Sequence, residues 1–197
     1  MDDLQYIQQQ FEESARVKQR LATDYSHQIL RLSQLLVSSL EKGGKILLCG
    51  NGGSAADAQH LATELVSRLR RTRPAIPALA LTTDTSLLTA HSNDFGFEDV
   101  FSRQVEALGR EGDVLIAIST SGNSPNVLKA IRTARARKMT VIGLTGGSGG
   151  KMADLVEHCL VVPSEDTQRI QEAHITIGHI LCDLVEKEIA KLNREPE

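Results

Sequence analysis

The sequence predicts an α/β fold in which helices cover both faces of a parallel sheet. Three observations predict it. Short apolar runs alternate with longer amphipathic stretches from Ile46 onward. Two passages from apolar run to amphipathic stretch are crowded with glycine and hydroxyl residues, Gly50-Asn51-Gly52-Gly53-Ser54-Ala55 and Ser119-Thr120-Ser121-Gly122-Asn123-Ser124. In parallel sheets such loops lie beyond the C-terminal strand ends, where ligands bind. Finally, 197 residues suffice to bury a sizeable core in one domain.

Taken in order, residues 3–42 read as two helices with a break near Ala22-Thr23-Asp24. The second carries Ile29, Leu32, Leu36 and Leu40 at helical spacing and stops at Gly43-Gly44. Leu30, Leu35 and Val37 widen its apolar stripe, which predicts burial against another subunit as well as the sheet. Ile46 to Cys49 is a strand, and Ser54 to about Leu69 a helix. A strand over Ala78 to Leu81 precedes short helical pieces at 85–92 and 98–108. Val114 to Ile118 and Thr140 to Leu144 are strands, with a helix over 125–137 between them. His158 to Val162 is the last strand, 168–192 a long final helix, and 193–197 a loose tail. Residues 1–42 are thus a helical segment of the same domain, and 43–192 its α/β body.

Composition narrows the partners. A net charge of −3 points to neither a nucleic-acid nor a membrane surface, and 3% aromatic residues without tryptophan argue against base-stacking platforms. The core must be built from Leu, Ile, Val and Ala. Cys49, Cys159 and Cys182 are widely spaced with no CxxC pair, which suits reduced core thiols in a cytoplasmic protein. The acidic start MDDLQ is not a leader, and no apolar run approaches the ~18 residues of a membrane span.

The stretch Val114 to Ile131 is the most informative. Pro125 suits the first helical position, where a missing N–H is harmless, and Ser124 can cap the helix before it. A helix start favours an anion. Ser119, Thr120, Ser121 and Ser124 add hydroxyl donors, but the loop holds no lysine. It therefore suits one phosphate on a small neutral molecule, not the triphosphate and magnesium of a P-loop. Taken alone, STSGNS could equally be an ordinary capped turn.

The first loop matches G-x-G-x-x-A, the dinucleotide fingerprint. A nicotinamide site needs an acidic residue about 20 positions on. Residues 68–73 are instead Arg-Leu-Arg-Arg-Thr-Arg, and the second strand runs out at Leu81-Thr82-Thr83-Asp84. The glycines more simply let the backbone approach a substrate. The arginines read as a solvated helix end beside its C-terminal dipole.

His60 and Glu64 share a helix face at i, i+4, the spacing of pairs that hold a metal or share proton transfer, and of plain ion pairs. Arg68 continues that face. In the final helix Gln171 and His179 are eight residues apart, about 80° around and roughly 12 Å along. One site can hold both only if the helix starts irregularly near Gln171 or if two chains contribute.

GNGGSAADAQHLATEL, SNDFGFEDVFSRQVEALGREGDVLIAISTSGNSPNVLKAI, LTGGSGGKMADL and RIQEAHITIGHIL together resemble the phosphoheptose isomerases, sugar-isomerase (SIS) domain enzymes acting on sedoheptulose 7-phosphate. The resemblance spans about residues 40–190. It implies a three-layer α/β/α sandwich on a five-stranded parallel sheet, with residues 43–192 as the SIS domain and the N-terminal helices used in oligomerisation. It also implies a homotetramer with interfacial active sites, one zinc per subunit, and cytoplasmic synthesis of heptose for lipopolysaccharide cores or other surface polymers.

By the same resemblance, Ser119, Thr120, Ser121 and Ser124 hold the phosphate, and Asn51, Gly52, Gly53, Asn93 and Asp94 line the sugar site. Gln171 and Glu64 also reach substrate. His60, Glu64, Gln171 and His179 are the zinc ligands, and Glu64 and His179 the acid/base pair. Ligation and base duty compete for Glu64. Two non-enzymatic readings stand beside this one. Related SIS proteins that bind the replication initiator lack the equivalents of Glu64 and His179, and a SIS module sensing a sugar phosphate needs only the serine loop. His91 before Ser92-Asn93-Asp94 and Gln168 before Arg169 depart from the isomerase pattern, while His174 reads as a core or interface residue.

Overall fold

The computed structural model describes residues 2–192 and contains one sheet of five parallel strands in the order β2-β1-β3-β4-β5. The strands are β1 Ile46–Cys49, β2 Ala78–Ala80, β3 Val114–Ile118, β4 Thr140–Gly146 and β5 His158–Val162. The helices are α1 Asp3–Asp24, α2 Ser26–Glu41, α3 Gly53–Val66, α4 Thr85–Asp94, α5 Val100–Leu108, α6 Pro125–Ala136, α7 Gly150–Leu155 and α8 Thr167–Leu192. The tail read at 193–197 lies outside the described residues.

The inner strands β1 and β3 are continuous apolar runs because both their faces are buried, whereas the edge strand β2 leaves Leu79 exposed. Along β1, Ile46 and Leu48 face one helical layer, and Leu47 and Cys49 the other, following the two-residue period of a strand. Leu21, Leu36, Leu61 and Leu181 bring α1, α2, α3 and α8 into the first layer. Val105, Ile131 and Met152 bring α5, α6 and α7 into the second, with Leu88 of α4 packed against it. This is the expected α/β/α sandwich.

The strand order positions the two loops. β1 and β3 are paired neighbours, with Cys49 opposite Ala117 at their C-terminal ends. The chain leaves β1 through α3 toward β2 on one side, and leaves β3 through α6 toward β4 on the other. Its two glycine- and hydroxyl-rich loops therefore diverge where the strand order reverses, which opens a crevice.

Several boundaries differ from the sequence expectation. The break between α1 and α2 falls at Tyr25, one residue later. α3 stops at Val66, not near Leu69, because the N–H groups of Leu69, Arg70 and Arg71 turn to Glu186 in α8. β2 ends one residue early, although Leu81 N–H still donates to the Leu48 carbonyl at 2.8 Å. The piece expected at 98–108 is a 3-10 turn, Phe97–Asp99, followed by α5. β4 runs on to Gly146, pairing Thr145 and Gly146 with Val161 and Val162. α7 was not foreseen, since its Gly-rich start carries no helical period. The Arg68–Arg73 cluster is no simple solvated end, for the Arg73 side chain is 1% exposed beside Glu186.

His174 is a core residue, 1% exposed. Its Nε2–H donates to the Thr145 carbonyl at 3.1 Å, and its Nδ1 has no partner among the described residues. Burial pushes its pKa down from 6.5 to about 4, against the pull of that carbonyl. The folded protein holds the neutral ring while the unfolded chain takes up a proton near 6.5, so this stability is complete above that pH and is lost as pH falls toward 4. Urea midpoints between pH 7 and 4 should fall by the equivalent of about 3 kcal/mol, and His174→Gln should remove that part of the slope.

Candidate active site

Two constellations lie on the first-loop helix α3, one at its start and one two turns along. At the start, the loops after β1 and β3 are tied together. Asn51 and Asn126 exchange side-chain hydrogen bonds of 2.8 and 2.9 Å. Asn126 is buried, and its Oδ1 also accepts the Val127 N–H at 2.9 Å. Nothing in the sequence distinguishes Asn126 from any polar residue in a first helical turn, so only the fold reveals it.

In the serine loop, Ser119 is buried and its hydroxyl meets that of Ser124 at 2.9 Å. Ser124 does occupy the N-cap position before Pro125, but makes no side-chain cap bond. The expected cap is replaced by the pairing with Ser119. Thr120 is half-buried and Ser121 exposed, and Ser121 Oγ accepts the Asn123 N–H at 3.2 Å. Among the described residues the N–H groups of Thr120 and Ser121 donate to no protein acceptor. Free amides, hydroxyls and the start of α6 suit this loop chemically to an oxyanion.

A second loop braces it from β4. Gly146 N–H donates to the Thr120 carbonyl and Met152 N–H to the Gly122 carbonyl, both at 3.0 Å. Gly122 has a φ of +64°, and a Cβ there would lie 2.0 Å from the Gly149 carbonyl oxygen. Neither backbone can yield. Gly122→Ala should cost about 3 kcal/mol of stability, combining left-handed strain with overpacking, and a urea titration reads it directly.

Two turns along α3, His60 and Glu64 meet His179 of α8. His60 Nε2 lies 2.8 Å from His179 Nε2 and 3.4 Å from Glu64 Oε1, and the three donor atoms fall within 4.8 Å of one another. Close helix contact allows this. Gly178, next to His179, faces Leu61, next to His60, and a Cβ on Gly178 would sit 2.6 Å from the Leu61 methyls. His60 is exposed, while Glu64 and His179 are half-buried, so the cluster can be reached from solvent. Two imidazole nitrogens and a carboxylate oxygen are a donor set that suits zinc.

Asp57, one turn before His60, escaped the sequence reading because its position marks only another polar helix residue. Burial pushes its carboxyl up, and the His60 and His179 rings pull it back. Its Oδ2 has no partner among the described residues.

Gln171 stands apart from the triad within one chain. α8 is unbroken from Thr167, so no irregular start brings Gln171 to His179. Its amide packs instead against Gly53, where a Cβ would lie 2.7 Å from Gln171 Nε2. Gly52 and Gly53 are both exposed at the crevice. Asn93 and Asp94 are exposed at the end of α4, bonded to each other at 2.9 Å. His91 stacks at 4.9 Å on Phe95. Burial pushes Cys49 and Cys182 up to about 12 and Cys159 to about 11, which suits unreactive thiols.

A family model described as the SIS domain matches residues 9–146. A phosphoheptose isomerase from Roseiflexus sp. (strain RS-1) is 54% identical over 182 residues, which cover 92% of each chain. The structure of phosphoheptose isomerase GmhA from Neisseria gonorrhoeae superposes with a TM-score of 0.88 at 48% identity, covering 93% of this chain and 98% of that one. A phosphoheptose isomerase structure from Francisella tularensis gives 0.92 at 42% identity, covering 95% and 100%.

Proposed function

From the membership of this chain in the SIS-domain phosphoheptose isomerases, we infer both its reaction and the residues that perform it. The chain is an aldose–ketose isomerase that interconverts sedoheptulose 7-phosphate and D-glycero-D-manno-heptose 7-phosphate in heptose biosynthesis. The observation that carries the site assignment is the convergence of His60, Glu64 and His179 within 4.8 Å, on helices rooted in the phosphate-type crevice.

In this reading, Ser119, Thr120, Ser121 and Ser124 take the substrate phosphate. Hydroxyls and loop amides donate to its oxygens, and the start of α6 favours its charge. Asn51, Gly52, Gly53, Asn93, Asp94 and Gln171 line the sugar. The Glu64 carboxylate removes one of the two C1 protons of the ketose, and the C1–H electron pair forms the enediolate double bond to C2 as the carbonyl pair moves to O2. Glu64 then returns the proton to C2. His179 moves the second proton from O1 to O2, so the aldose carries a C1 carbonyl and a C2 hydroxyl. His60, Glu64 and His179 would hold a zinc ion, one per subunit, which when bound supplies Lewis-acid stabilisation of the enediolate oxygens.

A homotetramer with interfacial sites accompanies this proposal. α1 exposes Leu4, Tyr6, Ile7 and Phe11, the last 75% exposed, an apolar face suited to a second copy. Gln171 joins the ligand set in such an assembly only from a neighbouring chain, since within one chain it precedes His179 by roughly 12 Å of helix rise. A cytoplasmic location fits the three free cysteines, and no described helix is long and apolar enough to cross a membrane.

Purified protein incubated with sedoheptulose 7-phosphate, with and without zinc, should yield the aldose by NMR. His179→Ala should abolish the conversion. Conversion that survives His179→Ala would remove that histidine from the site.

A further inference from the structure

Glu186 is a carboxylate with 0% exposure, two turns beyond His179 on α8. Seven residues return a helix to nearly the same face, so Glu186 and His179 both look toward α3. The Glu186 oxygens accept the N–H groups of Leu69, Arg70 and Arg71 at 3.0, 2.9 and 3.0 Å. Arg73 lies 3.4 Å from Glu186 Oε1 and reaches back to α3. Its Nη2 donates to the Glu64 carbonyl at 2.8 Å and its Nη1 to the Ser67 carbonyl at 3.2 Å. Arg71 adds an ion pair with Asp183 and stands 3.6 Å from Glu186.

We propose that Glu186 and Arg73 are positioning residues that set the register of α3 against α8, and thereby hold His60 and Glu64 at working distance from His179. The proposal rests on the assignment of that triad as the catalytic centre. Beside the triad α3 and α8 also meet through Leu61 on Gly178 and a long Cys182 Sγ–H donation to the Leu61 carbonyl at 3.9 Å, contacts too weakly directional to stop sliding along the helix axes. Hydrogen bonds that one buried carboxylate accepts from three successive amides do stop it. The arginine then ties the same acid to the main-chain oxygen of Glu64 itself. A displacement near 1 Å at a reacting centre can cost about a hundredfold in rate, so register carries a large effect.

A buried ion pair is weak evidence for stability alone, since apolar replacements are often neutral or better. Burial by itself would raise the Glu186 carboxyl, but the N–H groups of Arg70, Leu69 and Arg71 and the Arg73 guanidinium outweigh it and hold its pKa below the ordinary value. The acid is therefore charged at neutral pH. Lysine at 73 would keep the charge pairing but lose the fork that spans the Glu64 carbonyl of α3 and the Ser67 carbonyl just beyond its end.

The test compares Arg73→Lys and Glu186→Gln with Asp113→Asn. Asp113 is a buried acid at the start of β3 that pairs with Lys45 Nζ at 2.5 Å and accepts the Arg110 N–H at 2.8 Å. It lies at the sheet end opposite the crevice. Each variant is measured for melting temperature, for zinc affinity of the metal-free protein against a chromophoric chelator, and for kcat and KM with sedoheptulose 7-phosphate. Arg73→Lys and Glu186→Gln should lose about tenfold in kcat and in zinc affinity, with KM within about twofold. Asp113→Asn should lower the melting temperature without either loss. If Glu186→Gln does not fold, Arg73→Lys decides alone. A folded Arg73→Lys with kcat and zinc affinity near the parent overturns the proposal, as does an equal kcat loss in Asp113→Asn. Glu64→Gln in the same series separates the two levels: if it is inactive while Arg73→Lys is normal, only the register assignment fails. A fully active Glu64→Gln removes the catalytic centre itself, and the proposal with it.

Discussion

Glu64→Gln is expected to leave a folded protein whose turnover of sedoheptulose 7-phosphate falls by about a thousandfold. The amide is nearly isosteric with the acid, and Glu64 is only half-buried with its Oε1 near His60 Nε2. Packing should therefore change little. What disappears is a group able to accept the C1 proton and the one anionic donor of the triad. Position-1 deuterium exchange into substrate, followed by NMR, separates these losses. A variant that still exchanges the proton but does not form aldose keeps its base, whereas near-normal turnover would take Glu64 out of the mechanism.

The second large effect belongs to the other end of α3. Ser121→Ala combined with Ser124→Ala should raise KM by roughly a hundredfold or more, while kcat at saturation changes much less. Two hydroxyl donors to a phosphate are worth about 1.5–3 kcal/mol each when charge-assisted. Stability should fall little, because Ser121 is exposed and, among the described residues, the Ser124 hydroxyl bonds only to Ser119 Oγ. An unchanged KM would contradict the phosphate assignment. The pair of experiments also divides the proposed site, since one variant tests the proton-transfer role and the other the anchoring role.

Both sets of residues are visible in the sequence because local chemistry marks them. A lysine-free run of hydroxyls ending at a proline needs only the strand before it and the helix after it to become an anion seat. His60 and Glu64 are brought together by the α-helical repeat alone. The strands were equally legible, since parallel strands buried on both faces are unbroken apolar runs, and β1 and β3 fall where those runs do, while the partly buried edge strand β5 lies where it was expected at His158 to Val162. Boundaries failed where distant groups intervene. α3 is shorter than its period predicts because Glu186, 117 residues from Leu69, takes the amides that would have continued it. Ser124 has the residue type of a cap, yet Ser119 claims its hydroxyl.

The amino-acid order by itself thus determined the α/β alternation, the two glycine- and hydroxyl-rich loops and the His60–Glu64 face, all of which depend on contacts within a few residues along the chain. The pairing of Asn51 with Asn126, the arrival of His179 beside His60, the separation of Gln171 from that cluster, and the Glu186–Arg73 anchor were decided only by tertiary structure. The pairings among these join residues 75 to 119 positions apart. Periodicity fixes the direction of a side chain around its own helix, but its distance from a second helix depends on where the sheet sets both axes and how closely a glycine such as Gly178 lets them approach.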